Sequence, residues 1–139
     1  MTDLLDSCDD LPRRRADVDD IVVEQGRRLA SLLILVDGDL VVERDGVVLA
    51  HLDRPGTIVG EMSTLLDSPA TATVRAREAS TLLVADDAAA FLVERPDVLL
   101  QVARALARRL DNLTGHLIDV KRQYGDESGH LGMLDDVLT

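Results

Sequence analysis

Leu99, Ala103, Leu106, Leu110, Leu113, Leu117, Val120 and Tyr124 recur at alternating steps of four and three in the second half of the chain. That spacing is an a/d heptad seam, and it predicts one helix of about seven turns. Pro96 suits a first helical position, and Asp97 places negative charge near the positive end of the helix. Lys121 and Arg122 approach the negative end, and Gly125 is the expected C-cap. Gly115 lies off the seam and costs up to ~1 kcal/mol of helix propensity, which is tolerable. A helix this long outruns what the rest of a small chain can cover. Part of its stripe needs another partner, and a second copy of the same helix is the simplest one. The eight seam residues are therefore the expected homodimer interface.

Before Asp86 the texture differs. Short β-rich runs alternate with turn residues: Ile21–Val23 before Gly26, Leu32–Val36 before Asp37-Gly38, and Leu40–Arg44 facing Val47–Ala50 across Asp45-Gly46. Asp-Gly between two β-branched runs is a hairpin signal, because both residues tolerate the positive φ of a type I′ turn. Further strands are expected at Thr57–Val59, Ala72–Ala76 and Thr81–Ala85. Strands so short and so regularly punctuated predict an all-β roll or barrel. Asp87–Val93 reads as a short helix, broken at Glu94-Arg95-Pro96-Asp97. The expected class is mainly β with helices (α+β): a jelly-roll β roll, or double-stranded β-helix, then a short helix and a long C-terminal one. The expected divisions are an acidic lead-in over 1–18, the roll with its short helix over 19–94, the long helix over 95–125 and a tail over 126–139.

Composition narrows the function. The 139 residues suit one domain, and 46% hydrophobic content is enough for a core. Aromatic residues make up 1%, too few to stack bases of single-stranded nucleic acid. A formal charge of −11 opposes attraction to DNA, RNA or anionic membranes. The run Arg13-Arg14-Arg15 sits among compensating aspartates and reads as a solvated face. Cys8 is the only cysteine, which excludes an internal disulfide or a four-thiolate metal site. His51, His116 and His130 show no ligand spacing, no nucleophile–base constellation stands out, and no apolar run of ~18 residues is present. The start, Met1-Thr-Asp-Leu-Leu-Asp, lacks a basic segment followed by an apolar one and is not a signal peptide. The expectation is a cytoplasmic, non-enzymatic domain with no metal, no nucleic-acid contact and no membrane span.

Between the two textures lies Gly60-Glu61-Met62-Ser63-Thr64-Leu65-Leu66-Asp67-Ser68-Pro69-Ala70-Thr71-Ala72-Thr73-Val74-Arg75-Ala76. This stretch resembles the phosphate-binding cassette of the cyclic nucleotide-binding domain family, found in kinase regulatory subunits, gated channels and Crp/Fnr-type bacterial regulators. The likeness extends to Asp39–Arg44 after Asp37-Gly38, to Leu52–Glu61, and to Arg95-Pro96-Asp97 followed by Ala107-Arg108-Arg109-Leu110. It covers roughly Asp19 to Tyr124.

The resemblance implies a roll that holds one cyclic nucleotide. Backbone N–H groups at the start of a short cassette helix meet the phosphate. A cassette glutamate accepts from the ribose hydroxyl, and an arginine pairs with the exocyclic phosphate oxygens. Binding then moves the long helix. Carried onto this chain, the candidate pocket is Gly60, Glu61, Met62, Ser63, Ala70, Thr71, Ala72 and Thr114. Gly60, Glu61, Thr71 and Ala72 match, but the arginine position holds Ala70. Arg75 and Arg77 come five and seven residues later, too far along the expected strand to substitute. The polar pair that meets the base in the bacterial regulators is Leu113-Thr114 here. Losing one partner of a buried charge pair costs ~2–5 kcal/mol, at ~1.4 kcal/mol per tenfold in affinity.

Three readings follow. The first is a regulatory module of this fold that does not hold cyclic AMP or cyclic GMP tightly and works as a homodimer, through contacts with a protein effector. The second is a sensor that takes a cyclic nucleotide or another small ligand in an altered pocket. The third is the sensor half of a Crp/Fnr-type transcription regulator, since residues 126–139 are too few for a helix-turn-helix. No cofactor is assigned beyond the cyclic nucleotide or related small ligand of the second reading.

Overall fold

The computed structural model describes residues 4–124. The chain opens with a helical turn, α1 (Leu4–Ser7), followed by β1 (Arg13–Ala16), β2 (Ile21–Val23), β3 (Leu32–Asp37), β4 (Leu40–Arg44), β5 (Val47–Leu52) and β6 (Ile58–Val59). After α2 (Glu61–Leu65) come β7 (Thr73–Ala76) and β8 (Ser80–Ala85), then α3 (Ala88–Glu94) and α4 (Pro96–Tyr124). The strands form two four-stranded sheets, ordered β1-β8-β3-β6 and β2-β7-β4-β5. Every pairing is antiparallel. This is the expected jelly-roll β roll with a short and a long helix after it.

Local chemistry explains the corners. Arg44 pairs with Val47, and Asp45 and Gly46 between them have φ of 52° and 80°. Both central residues are thus in the left-handed region that a type I′ turn demands. At the β3–β4 corner, Gly38 has φ 121° and its backbone lies against Ser80, whose hydroxyl accepts from Asp39 N at 3.2 Å and donates to Glu78 O at 2.9 Å. Asp87 caps α3 by accepting from Ala90 N at 3.1 Å, which moves the helix start one residue beyond the expected one.

The roll closes on an apolar cluster that takes alternate residues from both sheets: Leu33, Leu35 and Leu82 from one, Val22, Leu40, Val74 and Ala76 from the other. Leu32, Ile34 and Leu83 alternate with these and are buried as well, so the first sheet is covered on both faces. Ala88, Leu92, Val98 and Cys8 are buried apolar residues of the flanking helical segments. Arg95 and Gln101 on the first turns of α4 tie down α1: Arg95 donates to Ser7 O, and Gln101 donates to the Ser7 hydroxyl at 3.0 Å.

The lead-in expected over 1–18 contains a strand: Arg13–Ala16 is β1, paired with β8 from Arg13↔Leu83 to Ala16↔Ser80. The sheet therefore begins inside the lead-in, and the three arginines are its exposed edge. On α4, Val98 and Val102 are buried, whereas Leu99, Ala103, Leu110, Leu113 and Tyr124 of the heptad seam are exposed and Leu106, Leu117 and Val120 are half-buried. The chain divides into two units between Gln101 and Val102, so most of α4 belongs to the second. Gly125 and the tail over 126–139 lie outside the described residues.

Burial pushes the Cys8 thiol up to about 11 from an ordinary 9.0, with Arg95 acting in the opposite direction. The folded form therefore keeps the thiol protonated where the unfolded chain ionises it. Its contribution is complete below pH 9 and is lost as pH rises through about 11. Denaturant titrations across that window should show the native chain losing about 2 kcal/mol more than Cys8→Ala. Equal losses would contradict this account of Cys8.

Candidate functional site

Gly60 turns the chain from β6 into α2 with φ 92°, and a Cβ there would stand 2.4 Å from Leu29 Cδ2 and 3.2 Å from Ser31 O. Only glycine meets both the angle and the space. Glu61 follows on the first turn of α2 and is buried. Ser63, two residues on, is also buried and donates its hydroxyl hydrogen to Ser68 O, which folds the segment after α2 back on the helix. Met62 is exposed.

The far end of the segment is held by the loop between β2 and β3. Ala70 N donates to Arg27 O at 2.9 Å, and Gly26 N donates to Ala70 O at 2.8 Å. Gln25 N donates to the Thr73 hydroxyl at 3.1 Å. Arg28 donates to the Asp67 carboxylate at 2.8 Å and to Asp67 O at 3.3 Å. The residues from Gly60 to Thr73 are therefore strapped to residues 25–29, with Leu29 against Gly60 and Arg27 against Ala70. In the sequence Gly26 marks only a turn, because these contacts join positions some 40 residues apart and leave no local period.

Ala70 is half-buried, and its methyl packs against the apolar cluster of the roll, as do Leu29, Val42, Leu52 and Val84. Thr71 is exposed and Ala72 half-buried beside it. Arg27, bonded through its backbone to Ala70, pairs through Nε with Glu24 at 3.1 Å. On β7, Val74 and Ala76 face the core, so Arg75 points the other way, with its Nε 3.6 Å from Glu43. Arg77 lies 3.3 Å from His51 Nδ1, and Arg28 is engaged with Asp67. Thr114 is half-buried on α4, in the second unit.

A cleft of about 290 Å³ opens between the residue 28–30 loop, α2 and the start of α3, with Arg28, Leu29, Ser63, Thr64, Asp67 and Asp87 in its walls. Of the candidate pocket residues it includes only Ser63, so it is not the expected nucleotide site. Among the described residues no three His, Cys, Asp or Glu side chains are grouped to hold a metal, and no helix is long and apolar enough to cross a membrane.

The sequence pattern of the cyclic nucleotide-binding domain matches residues 13–92. Among solved structures, the chain is similar to the catabolite activator protein of Thermus thermophilus, at 27% identity and TM-score 0.68, over 83% of this chain and 57% of that one. It therefore spans little more than half of that protein's length. It shares its fold with PKAR CBD2 bound to Sp-2Cl-cAMPS, at 23% identity and TM-score 0.63, over 84% of this chain and 74% of that one. It also shares its fold with the regulatory subunit of a cAMP-independent protein kinase A from Trypanosoma brucei, at 22% identity and TM-score 0.61, over 73% and 38%. No curated protein sequence matches.

Proposed function

Since the chain belongs to the cyclic nucleotide-binding domain family, we propose that it is a regulatory module that has kept the family's roll and lost tight binding of cyclic AMP and cyclic GMP. Its output is contact between proteins, beginning with a homodimer formed along α4. It carries out no chemistry of its own.

The observation that carries this reading is Ala70. The arginine position of the cassette holds a methyl group packed against the roll's apolar cluster, with both backbone groups already bonded to residues 26 and 27. A phosphate placed there would meet a methyl group in place of a guanidinium, at a cost of ~2–5 kcal/mol relative to a paired site. That is roughly a thirty- to several-thousand-fold loss of affinity. The fold itself does not decide the matter, because the chain shares it both with a protein solved with a cAMP analogue and with one described as cAMP-independent. The homodimer rests on the exposed seam of α4, whose apolar residues need cover that the same seam on a second copy supplies.

Thermal unfolding of the purified chain with cyclic AMP or cyclic GMP at millimolar concentration tests the ligand part. At ~100 times Kd a ligand stabilises by ~2.7 kcal/mol, a shift of several degrees at this size. The midpoint should stay where it is without ligand. A rise of several degrees with either nucleotide would overturn the reading.

A further inference from the structure

The sheet β2-β7-β4-β5 turns Val22, Leu40, Val74 and Ala76 into the roll, so residues alternating with them stand on its outer face. Val41 is one of these, paired with His51 on one side and Arg75 on the other. The charged groups around His51 come from every strand but β2. Asp39 and Glu43 belong to β4 and the corner before it, and Arg75 and Arg77 to β7 and the corner after it. His51 is the one titratable residue of β5, and Arg44 stands at the far turn of the hairpin. Asp37, Asp53 and Glu78 flank the same corners and are exposed. Glu43 and Arg75 face each other, Oε1 to Nε at 3.6 Å. His51 stands between the other two: its Nδ1 is 3.3 Å from Arg77 Nη1 and 3.9 Å from Asp39 Oδ1. That carboxylate oxygen is buried and, among the described residues, accepts no hydrogen bond, a costly state for a buried acceptor. One ring nitrogen cannot serve both neighbours in the same protonation state. An arginine only donates, so the Nδ1 that faces it carries a lone pair and the neutral ring holds its proton on Nε2. A protonated ring carries N–H at both positions, and its Nδ1 can only donate.

We propose that His51 is a proton-operated toggle between these two partners. Neutral, its Nδ1 accepts from Arg77 and ties β5 to the corner between β7 and β8. Protonated, it repels Arg77 and donates to the orphaned oxygen of Asp39 instead. Histidine is the side chain whose charge changes between pH 5 and 8, so the exchange falls in the physiological range. The backbone allows it without unfolding. Arg77 N donates to Asp39 O at 2.8 Å and Asp39 N donates to the Ser80 hydroxyl at 3.2 Å, so the corner stays closed whichever partner His51 takes. His51 and Arg77 are both exposed, which leaves both side chains room to turn. The output is the Arg77 guanidinium, held across the sheet at neutral pH and given to solvent at mildly acid pH. None of these groups lies in residues 60–73, so the toggle does not depend on what the cassette binds.

Double-mutant cycles on the full chain, read by urea unfolding at pH 5.5 and pH 8, test this. The cycle of His51→Ala with Asp39→Ala should show favourable coupling at pH 5.5, about two- to fivefold in the folding constant, and none at pH 8. The cycle of His51→Ala with Arg77→Ala should show the opposite: favourable coupling at pH 8 that vanishes or changes sign at pH 5.5. The proposal is overturned if either coupling keeps its sign and size at both pH values. The unmutated chain supplies a second reading that does not depend on how the variants fold. Imidazole nitrogen shifts of His51 in a nitrogen-15 spectrum at pH 8 should show the proton on Nε2 and a bare Nδ1. A proton on Nδ1 at that pH would overturn the proposal as well, because Arg77 would then face a donor.

Discussion

Replacing Gly38 by alanine should destabilise the chain by about 2–5 kcal/mol and lower its melting midpoint by about 10 °C or more. Gly38 sits at φ 121°, where a side chain is strained. An added Cβ would stand 2.0 Å from Ser80 Oγ, 2.4 Å from its Cβ and 2.7 Å from its Cα. The last two distances mean that rotating the serine hydroxyl away gives no relief; the start of β8 would have to move. Ser80 is buried and bonds to Asp39 N and Glu78 O, so that movement also breaks the tie between the β3–β4 corner and β8. Gly46 supplies the control: its φ is 80°, but a Cβ there meets nothing within 4 Å. Gly46→Ala should cost only the backbone strain, about 1 kcal/mol. Differential scanning calorimetry of both variants reads the comparison, and equal losses would contradict the steric account.

Leu110→Glu should weaken the homodimer about a thousand-fold or more while leaving the fold intact. Leu110 is 56% exposed in the single chain, so a carboxylate there stays hydrated when the chain is alone. In the dimer the same position lies on the seam, and each copy loses the burial of the leucine's exposed part, ~1 kcal/mol, and desolvates a carboxylate at ~1 kcal/mol or more, which makes ~4 kcal/mol for the pair. At ~1.4 kcal/mol per tenfold this reaches about three orders of magnitude, before any repulsion between the two carboxylates. Sedimentation equilibrium should show the change in self-association, and circular dichroism should show an unchanged β and helix signature. An unchanged association constant would remove α4 as the dimer element.

Elements set by local chemistry were readable from the residues. Asp45-Gly46 marked its hairpin, and the turn has the two positive φ values that this pair tolerates. Pro96 and the apolar period marked α4 from Pro96 to Tyr124. What escaped the sequence depends on partners far along the chain. Arg13–Ala16 shows no apolar alternation, and it becomes a strand because β8, more than 60 residues later, offers it an edge. The strap between residues 25–29 and 60–73 is made largely of backbone groups, which any sequence carries, and so left no residue pattern. The phase of α4 was half legible. The heptad seam was visible, but Val98 and Val102, the buried pair, stand one position off it.

At the candidate site the sequence placed the deficit itself. Ala70 was visible as the missing cation, and the structure adds what the methyl does instead: it joins the roll's apolar cluster while its backbone closes on Gly26 and Arg27. Calorimetric titration of cyclic AMP and cyclic GMP into the unmutated chain, with Ala70→Arg beside it, therefore tests the central claim most directly. The account predicts no measurable heat of binding in the unmutated chain and saturable binding in Ala70→Arg, whose guanidinium supplies the phosphate partner. Saturable binding by the unmutated chain would contradict it, and so would an Ala70→Arg variant that folds normally and binds neither nucleotide.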